Sequence, residues 1–157
     1  MAVIQDQYND TPTKGFPGMV SNMEPGNRIS RTVEDVAGLA FGAPAWQGSG
    51  DRGCTGVPGT ADNFLGFVIA DHGQPLMPGG TADTIPRYES AALMSRTTIY
   101  VRVGQAVTKR QAVTIGTGAN AAHGISAAPA DATHVAAPGW IFDETVAAGG
   151  ICRLARR

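Results

Sequence analysis

The side chains here with chemistry to offer are His72, His123 and His134, the cysteines Cys54 and Cys152, and two carboxylate pairs, Glu34-Asp35 and Asp143-Glu144. A metal site wants histidines at i, i+4 or grouped with acidic or thiol partners. None of the three has that spacing, although His123 and His134 share one Ala-rich segment and could approach each other. Acid–base catalysis wants two carboxylates held about 5–10 Å apart across a cleft. Neighbours in sequence point apart on a strand or turn, so both acidic pairs read as solvated turns. The cysteines form one distant pair outside any Cys-x-x-Cys motif, which disfavours metal and redox chemistry and suits a reducing compartment. Gly116-Thr117-Gly118-Ala119-Asn120-Ala121 imitates a dinucleotide-binding turn, but His123-Gly124 and Pro129 leave no long helix to hold a pyrophosphate. No Gly-x-Ser-x-Gly elbow and no phosphate loop ending in Gly-Lys occurs. The expectation is therefore no enzyme, no cofactor and no metal.

The elements that would have to position any chemistry are short strands. In Thr97-Thr98-Ile99-Tyr100-Val101-Arg102-Val103, Ile99, Val101 and Val103 share one face, and Thr98, Tyr100 and Arg102 share the other. That period of two marks a half-buried strand. Ala91–Met94 leads in and Val113–Ile115 follows the polar break at Thr108–Gln111, so the three read as a small antiparallel unit. Phe64–Ala70 is an apolar run that suits a strand covered on both faces. Leu39–Trp46, interrupted by Gly42 and Pro44, suits an edge strand or bulge. Ser30–Val36 fits a short helix, and Ile29–Val33 fits a strand equally well. Trp140–Phe142 and Ile151–Leu154 read as a closing hairpin. Gln47–Ala61 reads as a long Gly-rich loop, Asp71–Pro86 as a turn-rich connection, and Gly116–Gly139 as a long loop rich in Ala and Gly. Seven to nine strands result. The expected fold is mostly β: a small β-barrel or jelly-roll-like domain over residues 27–157, with an extended N-terminal arm over residues 1–26.

Composition agrees. With 21 Gly and 10 Pro in 157 residues, long helices are discouraged. Charged residues are 16% and the net charge is -1, so nucleic acid is not an expected partner. Arg153, Arg156 and Arg157 read as a solvated basic tail. Met1–Asp10 has no apolar run of a signal or anchor, and nothing approaches the roughly 18 apolar residues of a membrane span. In the arm, Tyr8, Phe16, Met19 and Val20 are apolar groups among turn residues, to be buried on a neighbour or on the chain's own surface. Trp46 and Trp140, the largest apolar side chains, are core anchors or interface hot spots.

Gly15-Phe16-Pro17-Gly18-Met19, Ile29-Ser30-Arg31, Phe41-Gly42 and Thr97-Thr98-Ile99-Tyr100-Val101, in that order, resemble the cement (capsid decoration) proteins of tailed bacteriophages. The likeness runs from about Tyr8 to about Ile115. It implies a non-enzymatic virion protein on the outer capsid surface, assembled in the bacterial host cytoplasm. Its implied partners are the major capsid protein and further copies of itself, as a dimer or trimer. Contact residues on this reading are Tyr8, Phe16, Pro17, Met19, Ile29 and Arg31, with Trp46 and Trp140 if they serve an interface. The alternative is a viral receptor- or carbohydrate-binding β module. Its display loops, Gln47–Ala61 and Gly116–Gly139, carry no aromatic residue to stack on a sugar.

Overall fold

Residues 14–22, 24–73 and 81–156 are described by a computed structural model. Their strands are β1 (Asn27–Val33), β2 (Leu39–Ala40), β3 (Pro44–Gln47), β4 (Gly53–Thr55), β5 (Phe64–Val68) and β6 (Thr84–Ile85). β7 (Ser90–Arg102), β8 (Ala112–Gly116), β9 (Ile125–Ser126), β10 (His134–Phe142) and β11 (Ile151–Arg156) follow. Short 3-10 turns cover Ala61–Asn63 and Gly118–His123. Ile29–Val33 is thus strand and not helix.

The strands run β1-β4-β3-β5-β7, and β7 pairs back onto β1, closing a five-stranded barrel. Of the two architectures expected, the barrel is the one present. From β7 the sheet continues through β11, β10, β8 and β9 as an open extension. β7 changes partners along its length: Arg96 faces Asn27 of β1, and the next residue, Thr97, faces Arg156 of β11. Thr97 marks this corner with φ +101, a conformation that a β-branched residue adopts only under tertiary constraint.

Two cores result, and the pleat of single strands feeds both. Ala45, Val68 and Leu93 point into the barrel with Val33, Leu39, Cys54, Ile85 and Ala91. Their chain neighbours Trp46, Phe67 and Met94 point outward into a second core beneath the extension, with Ile99, Val101, Trp140, Phe142 and Leu154. Successive strand residues face opposite sides, so a strand between two cores is apolar throughout. This explains the unbroken run Phe64–Val68. Its one irregularity is a bulge against β3, where Trp46 pairs with Phe64 and Ala45 with Gly66. Gly66 has φ +145, and a Cβ there would collide with the carbonyl oxygen of Met94.

Several expectations are corrected. Val113–Ile115 does not pair with Thr97–Val103: β11 and β10 lie between them, because the longer C-terminal hairpin takes the edge of β7. That hairpin is present, with Phe142 opposite Leu154. Gln47–Ala61 contains β4, Asp71–Pro86 contains β6, and Gly116–Gly139 contains a 3-10 turn, β9 and the start of β10. Eleven strands are described, more than nine, because four of them have only two or three residues and leave no periodic signature. Arg153 and Arg156 do not belong to a solvated tail, while Arg157 lies outside the described residues. β11 lies between β7 and β10, Arg153 pairs with Asp143 at 2.6 Å, and Arg156 donates to the Ser95 carbonyl at 2.9 Å.

Candidate interaction surface

The arm motif and the Phe41-Gly42 motif, 23 positions apart counting from Gly18 to Phe41, meet at one place. Residues 18–21 lie along the free edge of β7. Gly18 N–H donates to the Tyr100 carbonyl (2.8 Å), Tyr100 N–H to Met19 O (2.9 Å) and Ser21 N–H to Thr98 O (3.4 Å). Side chains join in: Ser21 Oγ lies 2.8 Å from Thr98 Oγ1, which donates to Asn22 Oδ1 at 2.7 Å. These contacts bury Thr98, which alternation alone would leave in solvent. On the other side Ala70 N–H donates to Gly18 O, and Gly42 N–H donates to Val68 O, both at 2.9 Å. Both glycines have positive φ, +83 and +74.

Phe16 and Phe41 then flank His72, their rings edge-on to the imidazole at centroid distances of 4.9 and 5.4 Å. The three rings wall an open, largely apolar groove of about 770 Å³, completed by Pro17, Thr81–Thr84, Arg102, Gly124 and Ile125. Phe16 is 43% exposed at its rim, and Met19 is 37% exposed nearby. No group of three or more metal-ligating side chains occurs among the described residues.

Three further exposed apolar side chains lie in the turns after β1 and β4 and before β7. Asp35 accepts from Thr55 Oγ1 at 2.6 Å and from Gly56 N–H at 2.5 Å, which ties the turn after β1 to the end of β4. Tyr88 N–H donates to Val33 O at 2.8 Å. Val36, Val57 and Tyr88 are all mostly exposed. Tyr88 adopts φ +70 with the Arg87 guanidinium 4.6 Å over its ring.

The acidic pairs are not solvated turns. The Glu34 carboxylate accepts from the backbone N–H of Gly50 (2.9 Å) and Ser49 (2.8 Å) and from the Ser49 hydroxyl (2.9 Å), organising the turn before β4. Those three donors hold its carboxyl below the usual glutamate range. Glu144 pairs with Lys14 at 3.0 Å, a further tie to the arm.

Of the residues singled out from sequence, Phe16 and Pro17 line the groove and Met19 lies beside it. Ile29 packs half-buried against the barrel core, and Arg31 is half-buried on β1 with its Nη1 donating to Ser30 O. Trp46 and Trp140 are both 1% exposed, at the two ends of a series of edge-on rings running through Phe64 and Phe67. Tyr8 lies outside the described residues. Sequence reading weighed His72 only as a metal ligand and did not single out Val36, Val57 or Tyr88. Each is a single residue in a turn, and the one available cue was apolar side chains amid turn formers.

The family model described as structural cement protein (E217 gp24/Pam3 gp6) matches residues 4–157, and so extends through the Ala-rich segment to the C-terminus. Among solved structures, a chain of the capsid of Myoviridae phage XM1 superposes with a TM-score of 0.66 at 18% identity. The superposition covers 99% of this chain and 95% of that one, and it establishes a shared fold. No curated protein matches.

Proposed function

The chain belongs to the phage structural cement protein family, and from that premise we propose that it binds the outside of the phage head and clamps adjacent major capsid subunits. A virion structural role follows from the family itself. The finer reading rests on one observation: the apolar groove where Phe16 of the arm, Phe41 and His72 converge, with apolar side chains exposed at its rim. Exposed apolar area of this kind marks contact surfaces.

A shell under internal pressure fails where its subunits part. A clamp that buries area on two subunits at once raises the cost of parting, and many modest clamps act together through multivalency. Self-association as a dimer or trimer would add a second attachment point per particle of cement. Nothing in this role calls for bond chemistry, nucleic acid or a membrane.

The test uses capsids assembled without this protein, to which the purified full chain is added. Co-sedimentation with the capsids and a higher temperature of particle rupture are expected. Phe16→Asp should weaken binding at least tenfold while leaving the thermal melt of the free protein unchanged. Failure to sediment with capsids, or full-strength binding by Phe16→Asp, counts against the proposal.

A further inference from the structure

The contact between His123 and His134 belongs to no surface described above. His123 ends the 3-10 turn Gly118–His123, His134 opens β10, and His123 Nδ1 lies 3.1 Å from His134 Nε2. The ring planes differ by 21° and the centroids are 5.3 Å apart. That separation is the nitrogen–nitrogen distance plus roughly one ring radius on each side, so the nitrogens point at each other nearly in plane. This is the geometry of an N–H···N hydrogen bond. Two lone pairs converging on a shared ion would be bent away from that line.

The surrounding network fixes where the protons are. The Asp131 carboxylate can only accept, and it takes the backbone N–H and the hydroxyl of Thr133, both at 2.7 Å. Thr133 Oγ1, its proton committed, accepts from Asn120 Nδ2 at 2.9 Å. His134 Nδ1 stands 3.2 Å from that hydroxyl oxygen and 3.4 Å from Asp131 Oδ1, so Nδ1 carries the hydrogen. His134 Nε2 is then bare and accepts from His123 Nδ1–H. Asp131 is the one charged group that contacts either ring among the described residues. The Gly104 and Gly116 corners packed against His123 present backbone only.

A first added proton is accommodated by reversing the bond: His134 Nε2–H donates to His123 Nδ1, and His123 carries its hydrogen on Nε2. A second is not. It sets two N–H groups and two positive charges head to head, with His134 only 5% exposed. We propose that the His123–His134 pair is an acid-sensitive latch. It fastens the Gly118–His123 turn to the start of β10 with one shared proton and releases it when both rings are protonated. The doubly protonated pair has no hydrogen bond between its rings, so what that bond contributes to holding the turn is absent in that state. Local opening meets that cost before global unfolding does. Asp131, its carboxyl held down at about 2 by the Thr133 bonds and by His134, stays ionised meanwhile and keeps its grip on the His134 side.

Amide hydrogen exchange of the full chain between pH 8 and pH 5, corrected for intrinsic rates, tests this. Protection of residues 118–124 should fall at least tenfold in acid while the strands β7 and β11 keep theirs. His123→Gln, which donates to His134 without becoming charged, should abolish the acid step and melt normally at pH 8. Imidazole nitrogen NMR on the unmodified protein gives a second readout should that variant not fold. Unchanged protection at pH 5, an acid step retained by His123→Gln, or both rings doubly protonated with the turn still closed would each overturn the proposal.

Discussion

Gly18 and Gly42 face each other too closely for either to carry a side chain. A Cβ on Gly18 would stand 3.0 Å from the Gly42 nitrogen, and one on Gly42 would stand 2.9 Å from the Gly18 nitrogen. The arm is fastened to the barrel at this point. Gly42→Ala should cost about 1–2 kcal/mol from the left-handed backbone alone, and more from the collision. Its measurable result is a lower melting temperature and faster cleavage by a protease within residues 14–22. Unchanged cleavage would mean the arm is held elsewhere.

Phe67 links the two tryptophans, meeting Trp140 at a centroid distance of 5.0 Å and, through Phe64, Trp46. Phe67→Ala should cost about 3–5 kcal/mol, a large part of an ordinary protein's stability. Because β5 and β7 serve both cores, calorimetry of the unaltered protein should show one transition. Two separated transitions would refute that coupling.

The Glu34 carboxyl lies below its ordinary value through the Gly50 and Ser49 donors. A group depressed in the native state contributes stability that is complete above its unfolded value and lost as pH falls through the native one. The turn Gly48–Gly53 should therefore loosen only in strong acid, below the usual glutamate range. Exchange of the Ser49 and Gly50 amides is the measurement. Glu34→Gln should remove the acid step, and loss of protection already near neutral pH would contradict this account.

Both cysteines are buried and unpaired, and burial first, with nearby carboxylates second, pushes each thiol up to about 11. The thiolate is the reactive form. At pH 8 the native protein should react with iodoacetamide far more slowly than the unfolded chain, at both Cys54 and Cys152. Rapid labelling of either in the native state would show that its core opens readily.

What could be read from sequence followed from how regular each element's surroundings are. Thr97–Val103 was legible because one face meets a core and the other does not. The C-terminal hairpin was legible because its strands are long enough to show a pattern. β4 was not: its two ends are held by the Glu34 carboxylate on Ser49 and the Asp35 carboxylate on Thr55 and Gly56, 15 to 21 positions along the chain. Pairing across β8 and β10 was hidden too, since Pro138 and Gly139 interrupt the ladder between Ala136 and Ile141. Of the candidate surface, the motif residues Phe16, Pro17 and Gly42 were visible, whereas the aromatic partner His72 arrives from a turn with no signature of its own.

β7 also has a mechanical meaning. The segment at Met19–Val20 is hydrogen-bonded to it on one edge and β11 on the other, while its first half closes the barrel. Interstrand bonds lie across the strand direction. A pull on the arm along this line therefore loads many bonds together in shear and does not unzip them singly, so tension arriving there is shared by both halves of the molecule.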